Sequence, residues 1–242
     1  MIKKTMIKKY PLFLVFLSSL LSINSYANIT INPVILELNA QNQTRSSSIS
    51  IANEEGNSNR MYEITPYTWT QDADGQEVLT PTSDIVINPK TLYIPVGEQR
   101  QVRVGFRQKL SDMDLNKEKS WRLFFKEIPS PLEESGIGIS IDFSVPLFAK
   151  EKPKKPEPQF TIHQNKAMQL SIHNLNLNHV KIMNVELLNA QGQTLEAFPD
   201  MKYILADQRY FLKLKSNTAS QALKVKIKLD QVQEPLLVPI SK

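Results

Sequence analysis

The side chains best suited to catalysis or metal binding are few in this sequence and widely spaced. The three histidines, His163, His173 and His179, all fall in the last third of the chain. A zinc site needs convergent ligands, and two of these histidines lie on separate predicted strands with no evident fourth ligand. No Ser-His-Asp order, phosphate-binding glycine loop or paired acidic motif stands out. We therefore expect no catalytic residue, no metal and no cofactor, and an enzyme is the least favoured class.

Cysteine is absent from the chain. Its absence excludes thiol catalysis and thiolate metal ligands, and it leaves an exported protein to be held together by core packing alone. The net charge of +5 includes four lysines within the first nine residues. The remainder is only mildly basic, which argues against a nucleic-acid partner.

Residues 136–145 alternate between large apolar side chains and Gly, Ser or Asp. The apolar set is Ile137, Ile139, Ile141, Phe143 and Val145. Successive side chains of a strand point to opposite faces, so all five would share one face. This pattern fits an ordinary half-buried strand. It also fits a sheet-edge strand that offers its apolar row to a partner, where main-chain hydrogen bonds supply affinity and side-chain pockets supply specificity.

Two β domains are needed to position this segment. Residues 28–150 contain short runs with period-two alternation separated by turn signals, which predicts an immunoglobulin-like β-sandwich with one helical turn near 110–115. Residues 151–159 hold three prolines among charged residues and predict a stiff linker. Residues 160–242 are again strand-like, which predicts a second, smaller β-sandwich.

The first 27 residues have the features of a signal peptide. A lysine-rich start precedes an apolar stretch from 11 to 21, and small residues at Ser25 and Ala27 predict cleavage after Ala27. An uncleaved anchor is the alternative, but the apolar stretch is shorter than the roughly 20 residues that a spanning helix needs. We expect an exported mature chain with no membrane insertion.

Several segments, in their order and spacing, resemble the periplasmic chaperones of the chaperone–usher pilus pathway. Besides the signal peptide and the alternating segment, they are Pro33–Leu36, Ser48–Asn53, Pro95–Arg103, Lys126–Pro129 and Pro146–Phe148. The resemblance spans the mature chain, is strongest from 95 to 148 and is weak after 160. It implies an all-β protein whose two immunoglobulin-like domains are set at an angle, like a boomerang, around a cleft. It also implies a non-enzymatic function: binding and stabilising pilus subunits and delivering them to an outer-membrane usher.

In that family the alternating strand completes an incomplete immunoglobulin-like fold in the subunit. Carried over, the donor residues would be Ile137, Ile139, Ile141 and Phe143, with Val145 nearest the cleft. The resemblance also implies an interdomain ionic network, which would fall on Arg103, Glu118 and Asp230. The alternative is that these three are unrelated surface charges.

One departure concerns how the subunit is held. Members of the family place an Arg and a Lys in the cleft to bind the subunit's terminal carboxylate, and those positions align with Pro33 and Pro146. Either the alignment slips there or the chain belongs to a divergent branch, and we favour divergence. Candidate substitute anchors are Arg122, Lys126 and Lys150. The Asn88–Pro89 bond matches an X–Pro turn that is cis in some members. The alternative function is a secreted two-domain adhesin or binding module.

Overall fold

A computed structural model describes most of the chain beyond the N-terminal segment. The described residues are 29–42, 45–54, 58–129, 140–152, 159–165, 168–230 and 232–241. The predicted signal peptide, most of the predicted linker and the donor residues Ile137 and Ile139 lie outside them.

The strands up to residue 150 form two sheets. Their bounds are β1 Ile29–Asn32, β2 Leu36–Asn39, β3 Ser46–Asn53, β4 Arg60–Gln71, β5 Glu77–Pro81, β6 Ile85–Asn88, β7 Thr91–Ile94, β8 Gln99–Phe106, β9 Lys119–Glu127 and β10 Phe143–Lys150. Sheet A has the order β1-β3-β8-β6, and sheet B has the order β2-β10-β9-β4-β5, with β7 also beside β4.

Period-two alternation places one row of apolar side chains from each sheet in a shared core. Ile49 and Val102 come from sheet A, while Leu123, Phe125 and Leu147 come from sheet B, and all five are fully buried. The predicted immunoglobulin-like sandwich is confirmed for this half. The helical turn predicted near 110–115 is a short 3₁₀ helix at Leu110–Asp112.

The chain crosses from one sheet to the other between β1 and β2. Strand β1 pairs with β3 of sheet A, and β2 pairs in parallel with β10 of sheet B. Pro33 lies between them after a cis peptide bond, and the Asn88–Pro89 bond is also cis. Because β2 runs beside only the last part of β10, it decides which stretch of that strand remains an edge.

The strands after residue 159 form a second β-sandwich. Their bounds are β11 Phe160–Gln164, β12 Gln169–Asn174, β13 Val180–Leu188, β14 Thr194–Phe198, β15 Lys202–Ile204, β16 Arg209–Lys213, β17 Lys224–Leu229 and β18 Leu236–Pro239, with helix α1 at Ser216–Gln221. Sheet C is β11-β12-β16, and sheet D is β14-β13-β17-β18 with β15 beside β13. Buried residues of both sheets, such as Ile172 and Ile227, form its core.

Candidate functional site: a strand edge beside an interdomain cleft

Strand β10 is paired along one side and only partly paired along the other. It is antiparallel to β9 from Phe143 to Ala149, and it is parallel to β2 from Leu147 to Lys150. In the described part of the chain, residues 143–146 therefore have a neighbouring strand on one side only. An unpaired strand edge presents N–H and C=O groups that can accept another chain by β-augmentation.

The structure places two of the predicted donor residues against the protein's own core. Val145 is 2% exposed in the first-domain core, and Phe143 packs against that core with its ring stacked on Phe125 at 4.6 Å between centroids. These two side chains stabilise the protein's own sandwich, because sheet A covers this face of β10. Ile141 lies before the start of β10 and is 37% exposed. Ile141 belongs to the same alternating row as Phe143 and Val145, but its side chain is accessible. Among the predicted donor residues that the structure describes, Ile141 is therefore the one that remains a candidate.

Arg122 lies in the middle of sheet B on the face away from the first-domain core. Its neighbours across the ladders are Pro146 on β10 and Tyr67 on β4. Its Nη1 donates to Ser144 Oγ at 3.0 Å, and its Nη2 pairs with Glu77 Oε1 at 2.8 Å. The guanidinium carbon is 3.9 Å from the centre of the Trp69 ring, a close cation–π contact.

The other two candidate anchors lie at different places on sheet B. Lys150 Nζ is paired with Glu37 Oε2 at 2.7 Å, and its side chain is only 11% exposed. Lys126 is exposed further along β9, opposite Glu63. Of the two prolines at the aligned cleft positions, Pro146 is buried whereas Pro33 is exposed. Arg122 is the candidate cation for which a contact with the second domain is seen, because its guanidinium carbon lies 6.0 Å from the centre of the Tyr203 ring.

The predicted ionic network is not formed by the three residues expected to make it. Arg103 donates through Nε and Nη2 to Ser46 Oγ on its own sheet, at 3.0 and 2.9 Å. Asp230 pairs with Lys181 at 3.2 Å within the second domain. Of the three residues, Glu118 is the one whose side chain bonds across the domain boundary. The alignment failed for Arg103 because β8 belongs to sheet A, whereas the second domain packs on sheet B.

Glu118 has its partner in His179. His179 Nδ1 lies 2.6 Å from Glu118 Oε1, and the His179 backbone N–H donates to the same oxygen at 2.8 Å. The Glu118 side chain is fully buried. The His179 ring also stacks on Phe148 at 3.6 Å between centroids. Sequence reasoning missed His179, because a single histidine before a strand carries no pattern that marks it as an interface residue.

An apolar cluster between the domains reinforces this contact. Trp69 and Phe148 of the first domain pack with Leu205 of the second, and Tyr203 and Ile35 adjoin them. Burial raises the pKa of Tyr203, while the nearby Arg122 charge opposes that shift. The cluster therefore places the Arg122 guanidinium next to the rings of Trp69 and Tyr203.

Two features of the β4–β5 hairpin fix the second domain against the first. The Gln71 amide donates to Tyr203 O at 3.2 Å and accepts from the Leu205 N–H at 2.9 Å. Gly75, with φ +73°, approaches Arg209 so closely that a Cβ would lie 2.5 Å from its carbonyl oxygen. A pocket of about 370 Å³ lies next to these contacts, lined by Trp121 and Glu118 on one side and Leu205 and Gln208 on the other.

Among the described residues, no group of His, Asp or Glu side chains is arranged to hold a metal ion. The helices in that part of the chain are all too short or too polar to cross a bilayer.

Comparison with known proteins identifies solved structures that share this fold. The chain superposes on the crystal structure of the CsuC–CsuE chaperone–tip adhesion subunit complex of Acinetobacter baumannii with a TM-score of 0.67 at 18% identity, covering 89% of this chain and 100% of that chain. It superposes on the Salmonella enterica SafA pilin–SafB chaperone complex with a TM-score of 0.61 at 13% identity, covering 88% of this chain and 97% of that chain. For the periplasmic chaperone SfaE the TM-score is 0.60 at 10% identity, covering 88% of this chain and all of that chain.

These low identities establish a shared fold. No curated protein sequence matches the chain. The model of the pili and flagellar-assembly chaperone family, PapD N-terminal domain, matches residues 28–155, which is more than half of the chain. This protein therefore belongs to the pili and flagellar-assembly chaperones.

Proposed function

We propose that this chaperone acts in the periplasm, where it binds pilus subunits, stabilises them and delivers them to an outer-membrane usher by lending a β-strand. The observation that carries the proposal is the open edge of β10 over residues 143–146, which continues into the alternating segment at the exposed Ile141. Relatives solved as chaperone–subunit complexes, CsuC–CsuE and SafA–SafB, support the same kind of partner.

The proposal assigns a role to each part of the chain. Residues 1–27 are a signal peptide cut after Ala27, and residues 28–150 are the chaperone domain that supplies the strand. Residues 151–159 link it to the second domain, 160–242, which is set at an angle to form the cleft. The similarity in fold to SfaE, a periplasmic chaperone, supports this location.

Strand lending explains how the chaperone works without catalysis. A subunit that lacks its last strand exposes an apolar groove, and such a groove promotes aggregation. Ile137, Ile139 and Ile141 would fill the groove while their main chain completes the sheet. Each buried side chain contributes roughly 1.5–3 kcal/mol before the costs of association. Release then requires a competing strand from the next subunit, and no nucleotide is needed.

Arg122 anchors the subunit's terminal carboxylate in this proposal. Its guanidinium is held in orientation by Ser144 Oγ and the Trp69 ring, while its third partner, Glu77, is half exposed. The Arg122 side chain is only 16% exposed, and a client carboxylate that replaced the half-exposed Glu77 would keep this charge paired. Charge-assisted bonds from a planar guanidinium suit a carboxylate well.

Co-expression with pilus subunits tests the proposal. Wild-type chaperone should recover a soluble subunit, and Ile141→Asp should lose it, because a charge would enter an apolar groove. Val86→Asp is the matched control, since Val86 is similarly exposed but lies on β6 of sheet A. If Ile141→Asp folds and recovers the subunit as well as Val86→Asp does, strand lending through this segment is wrong.

A further inference from the structure

The ladder between β9 and β10 ends at a pair of side chains. Phe143 is opposite Phe125 in the last paired positions of the two strands. Beyond that pair, the Glu127 backbone N–H donates to Asp142 Oδ1 at 2.8 Å, and the Ile141 backbone N–H donates to Glu127 Oε2 at 2.6 Å. Side-chain oxygens thus accept the N–H groups that main-chain carbonyls would accept in a continued ladder.

Glu127 is itself held from the opposite side. Arg60 on β4 pairs through Nη1 with Glu127 Oε1 at 2.6 Å, and the two side chains are only 13% and 7% exposed. One carboxylate on β9 therefore connects β4 with the segment just before β10, because one oxygen pairs with Arg60 and the other accepts from the Ile141 amide. A buried ion pair tends to fix a single arrangement more than it adds stability, because desolvation offsets much of the attraction.

Aromatic rings next to Glu127 hold the start of β10 in place. Phe143 stacks on Phe125 and meets Tyr62 edge-on at 5.3 Å between centroids. Burial, with the Glu127 charge as the next cause, raises the pKa of Tyr62 to about 12. Position 141 is therefore fixed both by packing at Phe143 and by the bond from its own amide to Glu127.

We propose that Glu127, held by Arg60, is the positioning residue of the donor segment: it fixes the Ile141 amide and so sets the register from which the lent strand extends. The inference rests on the proposed function. A slip of one residue moves every side chain of a strand to the opposite face. If Ile141 were held loosely, the donor side chains would therefore point to different faces in different molecules. Fixing Ile141 before the subunit binds also lowers the conformational entropy that is lost on binding.

The first test uses the free chaperone and hydrogen exchange at the Ile141 amide. Glu127→Ala should exchange this amide about tenfold faster or more, as loss of one hydrogen bond to a charged group implies, while Val104 in the core stays protected. Glu127→Gln keeps one oxygen acceptor for the two donors, Arg60 and the Ile141 amide, so its protection should lie between those of wild type and Glu127→Ala. Equal exchange at Ile141 in wild type and Glu127→Ala overturns the inference.

The second test separates positioning from stability by exchanging the two charges. The double variant Arg60→Glu with Glu127→Arg can restore the ion pair, but arginine cannot accept a hydrogen bond from the Ile141 amide. Capture is measured with the subunit that wild-type chaperone recovers on co-expression. Glu127→Ala and the double variant should both capture it about tenfold more weakly or worse, and capture by Glu127→Gln should lie between theirs and that of wild type.

The outcomes distinguish this inference from the proposed function. If wild-type chaperone recovers no subunit, the proposed function fails. If wild type captures the subunit and the double variant captures it equally well, only the positioning role of Glu127 is wrong. Should the double variant not fold, the comparison of Glu127→Ala with Glu127→Gln decides, and equal capture by these two variants also overturns the inference.

Discussion

The Glu118 carboxylate and the His179 ring join the two domains, with Oε1 and Nδ1 2.6 Å apart and the Glu118 side chain fully buried. The same oxygen accepts the His179 backbone N–H. A buried carboxylate needs such partners, because an unpaired buried charge is strongly destabilising.

We expect His179→Ala to lower the free energy of unfolding by about 3 kcal/mol, since it leaves the buried Glu118 with only a backbone donor from residue 179. Urea denaturation gives the measurement. His179→Phe is the matched control, because it retains a ring against Phe148 and removes the nitrogen. If His179→Phe is as stable as wild type, the Glu118 contact contributes nothing and the ring stacking accounts for the effect.

A comparison of two glycines distinguishes the effect of backbone strain from that of a steric clash between the domains. Gly75 and Gly192 both have φ near +75°, at +73° and +79°, but a Cβ at Gly192 would meet nothing within 4 Å. We expect Gly192→Ala to cost about 1 kcal/mol through strain alone. Gly75→Ala should cost clearly more, because its methyl group would overlap the Arg209 carbonyl oxygen. Equal losses in urea denaturation would show that Gly75 does not lie so close to the Arg209 carbonyl oxygen.

The anchor proposal predicts opposite effects for the two members of an ion pair. Arg122→Met should weaken subunit capture by roughly tenfold to a hundredfold, the value of a hydrogen bond to a charged group. Glu77→Gln should leave capture unchanged or improve it, because the client carboxylate no longer competes with Glu77. Titration of each variant with the recovered subunit measures this. A similar loss in both variants would mean that the pair has a structural role only.

The raised pKa of Tyr62 predicts that the free energy of unfolding falls at alkaline pH. Its pKa is raised from 10.0 to about 12, chiefly by burial. The native state thus keeps a proton that the unfolded chain loses near pH 10, so this contribution to stability is complete below pH 10 and is lost as the pH rises toward 12.

Tyr62→Phe should therefore flatten the alkaline decline in the free energy of unfolding. At neutral pH the variant should be nearly as stable as wild type, because the Tyr62 hydroxyl has no hydrogen-bond partner within the described part of the chain. Denaturation series at pH 7 and above pH 10 check both statements. If the free energy of unfolding falls as steeply above pH 10 in Tyr62→Phe as in wild type, the raised pKa of Tyr62 does not cause the decline.

The alternating segment shows how far sequence patterns reach here. Alternation predicted that Ile141, Phe143 and Val145 share a face, and the burial of Phe143 and Val145 fits that prediction. Alternation could not say where along the face the core ends. That point depends on where sheet A ends and on the hydrogen bonds that Glu127 makes with Asp142 and Ile141. Neither feature produces a periodic pattern in the sequence.

Contacts between domains were predicted least well. The resemblance implies a network of Glu118 with Arg103 and Asp230, but both of these bond within their own domains, and the sequence predicts that His179 is an ordinary surface residue. Pairings across a linker join residues that are distant in sequence, here 61 positions apart. Periodicity reports only local structure, so such pairs need either an alignment or coordinates.

The short open edge of β10 also bears on self-association. Strand β2 covers residues 147–150, and Pro146 contributes no N–H to the remaining edge. A second copy of the chaperone that docked edge to edge on residues 143–146 would gain few hydrogen bonds in the region described. A contact between two copies that was confined to these four residues would therefore dissociate easily.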